Sequence, residues 1–472
     1  MKRSVLVLIT LLALFATACG SAPASAPATS DLSGAAETDI APPVETATVE
    51  GSETGEFARG TQLPTPTPST ASDEAAGNET GAEGFDVANW ESVLAAAEGQ
   101  TVNWYMWGGA DSINEFVDSF YGEALKARYD ITLNRVPVAD AVDFVNQILS
   151  EKEAGINPGS IDLVWINGEN FASLKQSDML YGGWTRDMPN SVYVNWDNPA
   201  LNLDFGEPIE ALESPWSSAQ FQLIYDSARM SEEDLPRSYA QMKTWACEHP
   251  GRFTYIAPGP GAFQGTRFVK GALFELSGDA TIWREFDQSL WDEWSPALWD
   301  YFNEIQPCLW REGETYPKDE YELHSLFANQ EIDFSITQAI AGAGTLISDG
   351  LVPETARAFV FDDFMIGDYN YVAIPANAPN KAAAIVLANL ILEPEFQAAQ
   401  IIPENGFGLG YGIDITKVDN PEAVAILEAA QEELGPAATP ARDLISSMVP
   451  DADSAYQTLV EEGWREHVLI GE

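Results

Sequence analysis

Basic and thiol side chains are scarce in this 472-residue chain. It has three cysteines, three histidines, and 23 Lys and Arg residues against 73 Asp and Glu, for a formal charge of -50. Phosphates approaching such a surface are repelled over a Debye length, so DNA, RNA and anionic lipid headgroups are excluded as partners. His249, His324 and His467 lack the close spacing of a zinc site, and no EF-hand loop is present, so neither metal nor cofactor is expected. No G-x-S-x-G elbow, H-E-x-x-H helix, kinase signature or Walker lysine occurs, and few imidazoles remain for general-base work. The 62 acids from residue 86 onward make accidental carboxylate pairs inevitable, so a glycoside hydrolase survives only as an alternative. Turnover would discriminate, because an enzyme releases an altered product.

Long apolar runs are also missing, apart from one near the start. Lys2 and Arg3 precede an apolar stretch from Val5 to Ala16, then Thr17, Ala18 and Cys19, the pattern of a secretory signal over 1–18. The run is short for a bilayer span. Its ending at a cysteine resembles the bacterial lipoprotein signal, which would lipidate Cys19. Ala16 stands where that pattern usually has Leu, and an ordinary signal with an incidental cysteine is the other reading.

Residues 19–85 are rich in Ala, Ser, Thr, Pro and Gly and carry 11 acids against Arg59 alone. Such a segment buries too little apolar surface to offset its ordering entropy, and a disordered acidic linker is expected. Setting aside those acids and Lys2, Arg3 and Arg59 leaves -42 on the remainder, so no basic half is concealed. Length and a 45% hydrophobic content call for two or three domains. With Cys19 set apart, Cys247 and Cys308 are an even pair in an oxidising compartment, either a disulfide or two buried thiols.

From residue 87 the pattern alternates. Thr101–Trp107 (TVNWYMW) reads as a buried strand followed by a Gly108-Gly109 turn and a helix; 131–136 is a strand, 139–153 a helix, and 161–166 (IDLVWI) a strand ending at Asn167. This implies a largely parallel α/β sheet with ligands at the carboxyl ends of its strands. Residues 180–217 look irregular, 219–226 return to strand character, and a second α/β series follows. The Trp-rich stretch 283–310 reads as helical core. Strands at 332–336 and 369–374 and a helix at 381–392 precede a helical tail.

The stretches NWYMWGGADSINEF (103–116), SIDLVWINGENFASLKQSDMLYG (160–182), QLIYDS (222–227) and YVAIPANAPNKAAAIVLANLILEPEFQ (371–397) resemble the extracellular solute-binding proteins of ABC importers, in particular a YnjB-like subfamily. The resemblance implies a two-lobed periplasmic-binding-protein-like fold of type II, each lobe a sheet flanked by helices. Lobe 1 would hold 86–220 and 375–472, lobe 2 would hold 221–374, and two strands would cross between them. It further implies an extracytoplasmic, lipid-anchored monomer that delivers a small molecule to a permease. Global acidity and cleft aromatics favour a cationic or planar solute, such as a thiamine-like compound or a polyamine; a carbohydrate is the alternative of the same fold.

Ligand-binding candidates follow from strand ends. Trp107, Gly108, Gly109, Asp111 and Ser112 follow the first strand and offer backbone N–H groups, although Asp111 or Ser112 would equally serve as a helix cap. Asn167, Glu169 and Asn170 occupy the equivalent turn, where Glu169 would alternatively interact with a helix dipole. From the second lobe, Gly265, Thr266 and Arg267 open a helix, and Thr337 and Gln338 follow a buried strand. Tyr225 and Tyr371, on the proposed crossings, would either stack on a ligand or pack the hinge.

Overall fold

A computed structural model describes residues 84–259, 261–405 and 407–470. The signal peptide, Cys19 and nearly all of the linker therefore lie outside the described residues.

The first strand, β1 (Thr101–Trp107), forms because Val102, Trp104 and Met106 alternate with outward residues and enter the core. β2 (Thr132–Val138) and β3 (Leu163–Ile166) flank it, and both run parallel to it. The Ala141–Glu153 helix connects these two strands, its N-terminus capped by the Asp140 carboxylate, which accepts from the Val142 N–H at 3.0 Å. A two-strand hairpin, β4 (Leu203–Asp204) and β5 (Glu207–Pro208), interrupts the irregular stretch. Next comes β6 (Glu213–Gln220), and one residue later β7 (Gln222–Asp226).

Phe221, between β6 and β7, is where the chain changes sheets. β7 lies between β8 (Phe334–Thr337) and β9 (Ala356–Phe359), antiparallel to both, in a three-stranded sheet. The chain then returns. β10 (Met365–Ala373) runs antiparallel between β3 and β6, β11 (Gly410–Tyr411) extends the edge beyond β6, and β12 (Met448–Val449) pairs with the start of β10. The large sheet thus reads β11-β6-β10-β3-β1-β2, and the architecture is a two-lobed α/β fold. At the crossing, the Gln220 N–H donates to the Gln338 carbonyl and the Phe221 N–H to the Ile366 carbonyl, both at 2.9 Å.

Two of the expected lobe limits need correction. Residues 221–374 were assigned whole to the second lobe, but β10 belongs to the large sheet, because its backbone groups pair with β3 and β6. Residues 375–472 were assigned to the first lobe, yet the Ala455–Trp464 helix packs on the second. Its Trp464 indole donates to the Tyr255 hydroxyl at 2.9 Å, and Tyr456 meets Trp283 edge-on with centroids 5.1 Å apart.

Each lobe has an aromatic core. In the first, Trp104, Tyr121, Trp216 and Phe407 interlock, and the Trp216 indole donates to the Tyr121 hydroxyl at 3.1 Å. In the second, Phe253, Tyr255, Phe268 and Phe302 do the same, and Trp283, Trp291, Trp299 and Trp310 are buried as core. Cys247 and Cys308 are joined in a disulfide, tying the Tyr239–Glu248 helix to the chain just past the Gln288–Ile305 helix. Among the described residues no single helix is long and apolar enough to cross a membrane.

Candidate functional site

The turn after β1 is shaped by close packing. The Gly108 N–H donates to the Val138 carbonyl at 3.0 Å, a Cβ at Gly108 would strike Pro137, and one at Gly109 would strike the Trp107 ring. Trp107 is 44% exposed and stands edge-on to Trp165 of β3, centroids 6.5 Å apart. Asp111 and Ser112 are exposed in the first helical turn. Ala110 occupies the cap position without a side-chain cap, so neither residue caps this helix.

The turn after β3 is held from behind. The Asn167 side-chain amide donates to the Tyr369 carbonyl at 2.8 Å and to Asp204 Oδ1 at 3.4 Å, while the Gly168 N–H donates to Asp204 Oδ2 at 2.7 Å. Gly168 has φ 60° and ψ -128°, a conformation that needs glycine. Glu169 is exposed and Asn170 half-buried in the helical turn that follows. Asp204 is buried, and desolvation pushes its carboxyl up to about 7. Its neighbour Glu213 is fully buried with neither carboxyl oxygen hydrogen-bonded; burial, then the charge of Asp204, raises it well above the carboxylate range.

On the second lobe, the helix begins at Phe263, before the expected Gly265. The N–H groups of Gly265 and Thr266 are consequently taken by the Ala262 carbonyl, and they do not face a ligand. Gly265 is required for packing instead, since a Cβ there would drive into the Ile256 carbonyl. The Thr266 hydroxyl donates to Glu461 at 3.3 Å. Arg267 is 3% exposed; its guanidinium lies 5.1 Å above the Phe263 ring, pairs with Asp368 of β10 and donates to the Gln338 amide oxygen at 3.3 Å. Asp451 adds a second carboxylate 3.9 Å from its Nε. Gln338 in turn donates to Glu320 at 3.2 Å, and burial raises the Glu320 carboxyl. Thr337 is buried against Gly342. A hollow of about 490 Å³ opens here, walled by Phe263, Gln264, Glu320 and Gln338.

Of the two readings for the tyrosines, the structure places Tyr371 in packing, and Tyr225 lies away from the strand-end turns. Tyr371 is completely buried in the large sheet, its hydroxyl donating to the Leu201 carbonyl at 2.7 Å, so no solute reaches its ring. Tyr225 lies edge-on to Phe359, 5.7 Å between centroids, and lines a separate hollow with Gly435 and Pro436.

Several residues at this place had escaped notice in the sequence. Phe205, at the tip of the β4–β5 hairpin, packs against Gly168 and meets Phe263 of the other lobe with centroids 6.3 Å apart. Asp204 at the hairpin's base, Asp368 beside Arg267 and Trp165 beside Trp107 were likewise missed. Only the Phe-Gly turn and the glycines before Phe263 hinted at this. The structure therefore brings the Asn167–Gly168 turn, the hairpin and the start of the Phe263–Ser277 helix together. Among the described residues no group of three or more His, Cys, Asp or Glu side chains is arranged to hold a metal ion.

Strand-end turns of the large sheet thus face the first turn of a second-lobe helix beside a sheet-changing crossing. Residues 121–430 match the family described as bacterial extracellular solute-binding protein. The chain belongs to that family. This solute-binding protein is also 36% identical over 318 residues to Protein YnjB of Escherichia coli (strain K12), spanning 67% of this chain and 80% of the relative. Its fold is shared with a Bordetella parapertussis protein described as an extracellular solute-binding protein, at 12% identity and TM-score 0.55, covering 78% of this chain and 98% of the other. It is thus an extracytoplasmic solute-binding component of an ABC transporter, which takes up a small molecule and delivers it to the permease.

Proposed function

We propose that this solute-binding protein is a lipid-anchored monomer whose two lobes close on a small cationic or planar solute, such as a thiamine-like compound or a polyamine, and leave it chemically unchanged. The observation that carries the preference for cations is the state of Arg267. Its guanidinium is already engaged by Asp368, Gln338 and Asp451, which withdraws the buried cation of this region from anionic solutes. The formal charge of -50 attracts cations to the protein. Trp107, Phe205 and Phe263 present exposed rings to a planar or cationic group.

Transfer to the permease requires only that solute bind the closed form better than the open one, and the Phe221 crossing is a suitable pivot. The Cys19 pattern supports an anchor at the outer face of the membrane. Thermal-shift and calorimetric titration with thiamine, spermidine, maltose and a sugar phosphate tests the reading. A true ligand at 100 times its dissociation constant adds about 2.7 kcal/mol of stability. Stabilisation by thiamine or spermidine is expected; a response to the sugar phosphate alone would overturn the cationic preference, and a response to maltose alone would favour the carbohydrate reading.

A further inference from the structure

The β4–β5 hairpin joins features that the fold does not otherwise connect. Its base is tied to the first lobe: Asp204 accepts from the Asn167 amide and the Gly168 N–H, and Lys175 pairs with Glu207 at 2.7 Å. Its tip is turned outward by two successive residues of positive φ, Phe205 at 48° and Gly206 at 91°. For phenylalanine this is a costly conformation, sustained only where surroundings over-determine it. The tip leaves Phe205 39% exposed and sets it against Phe263, itself 41% exposed, on the first turn of the second lobe's long helix. Gly206 lies beside Asp453, whose N–H donates to the Trp283 carbonyl of that lobe at 2.9 Å.

We propose that this hairpin is the clasp of the cleft: Phe205 holds the second lobe shut through Phe263, and Asp204 is a positioning residue that fixes both the clasp and the Asn167–Gly168 turn. The inference rests on the reading of two lobes that close on a solute. It adds that closure is sensed at the turn, because one carboxylate anchors the turn and the clasp together. A turn displaced by solute moves Asp204, and the adjacent Phe205 moves with it. The ring pair is small enough to release, since an aromatic contact shifts a two-state equilibrium constant by about three- to tenfold.

The test is electron paramagnetic resonance on the full chain with no solute added. A spin-label pair is introduced through unnatural amino acids at exposed Asp143 of the first lobe and Glu293 of the second, leaving the disulfide intact. Phe205→Ala is expected to lower the ratio of short- to long-distance populations about three- to tenfold, Phe205→Tyr to restore it, and Phe286→Ala, an exposed aromatic elsewhere, to leave it unchanged. Asp204→Ala is expected to open the lobes as well, with Asp204→Asn, which keeps one acceptor, in between. Distributions for Phe205→Ala that superpose on the parent would overturn the clasp. If Asp204→Ala does not fold, the Phe205 series decides the clasp, and Asp204→Asn, matching the parent or opening the lobes, decides the positioning role. Because no solute is added, failure here is distinct from failure of the cationic-solute reading, which the titrations decide.

Discussion

Buried charges in this protein are arranged in opposite ways on the two lobes. Lys270 and Asp451 are both buried and pair with each other, joining the second lobe's long helix to the C-terminal segment. Removing Lys270 leaves Asp451 only the Arg267 guanidinium, 3.9 Å away, so Lys270→Met should cost up to about 3 kcal/mol in a urea titration. The double variant with Asp451→Leu should recover most of that loss. Asp204, in contrast, has no cation in contact and titrates near 7 when folded, above its usual range when unfolded. The folded state therefore binds the extra proton between about pH 4 and 7, and stability falls as pH rises through that window. Asp204→Asn should flatten the slope by on the order of 1 kcal/mol per pH unit, read from unfolding free energies at pH 5, 6 and 7.

Elements were legible in the sequence where periodicity alone determined them. β1 was visible because Val102, Trp104 and Met106 alternate, and the parallel set β1, β2, β3 followed from strand–helix alternation. β6 was hidden because Ser214, Pro215, Ser217 and Ser218 carry little β signal; its partners β10 and β11 make it a strand. The candidate turns after β1 and β3 were legible from their glycines. The hairpin opposite them was not, since its two-residue strands have no period and Phe205 gains meaning only from Phe263 across the cleft. For Tyr225 and Tyr371 stacking and packing both stayed open, because aromatic strand residues look alike whether they face a cleft or a core. Two tests belong to this scale. Gly265→Ala should destabilise by more than about 2 kcal/mol despite alanine's better helix propensity, because the Ile256 carbonyl occupies the space of its methyl. Replacing Cys247 and Cys308 together by Ser should cost about 4 kcal/mol, the loop entropy of a 61-residue separation.

The whole molecule combines a two-lobed body, a C-terminal helix that reaches back onto the second lobe, and a strongly acidic surface. Family membership makes it an extracytoplasmic carrier, and the proposal that its cargo is a cation rests on the engaged Arg267 and the charge of -50. Native mass spectrometry of the gently purified full chain tests that claim most directly. One equivalent of an intact, positively charged small molecule released on denaturation is the predicted result; an anionic compound in its place, or a chemically altered product, would contradict it.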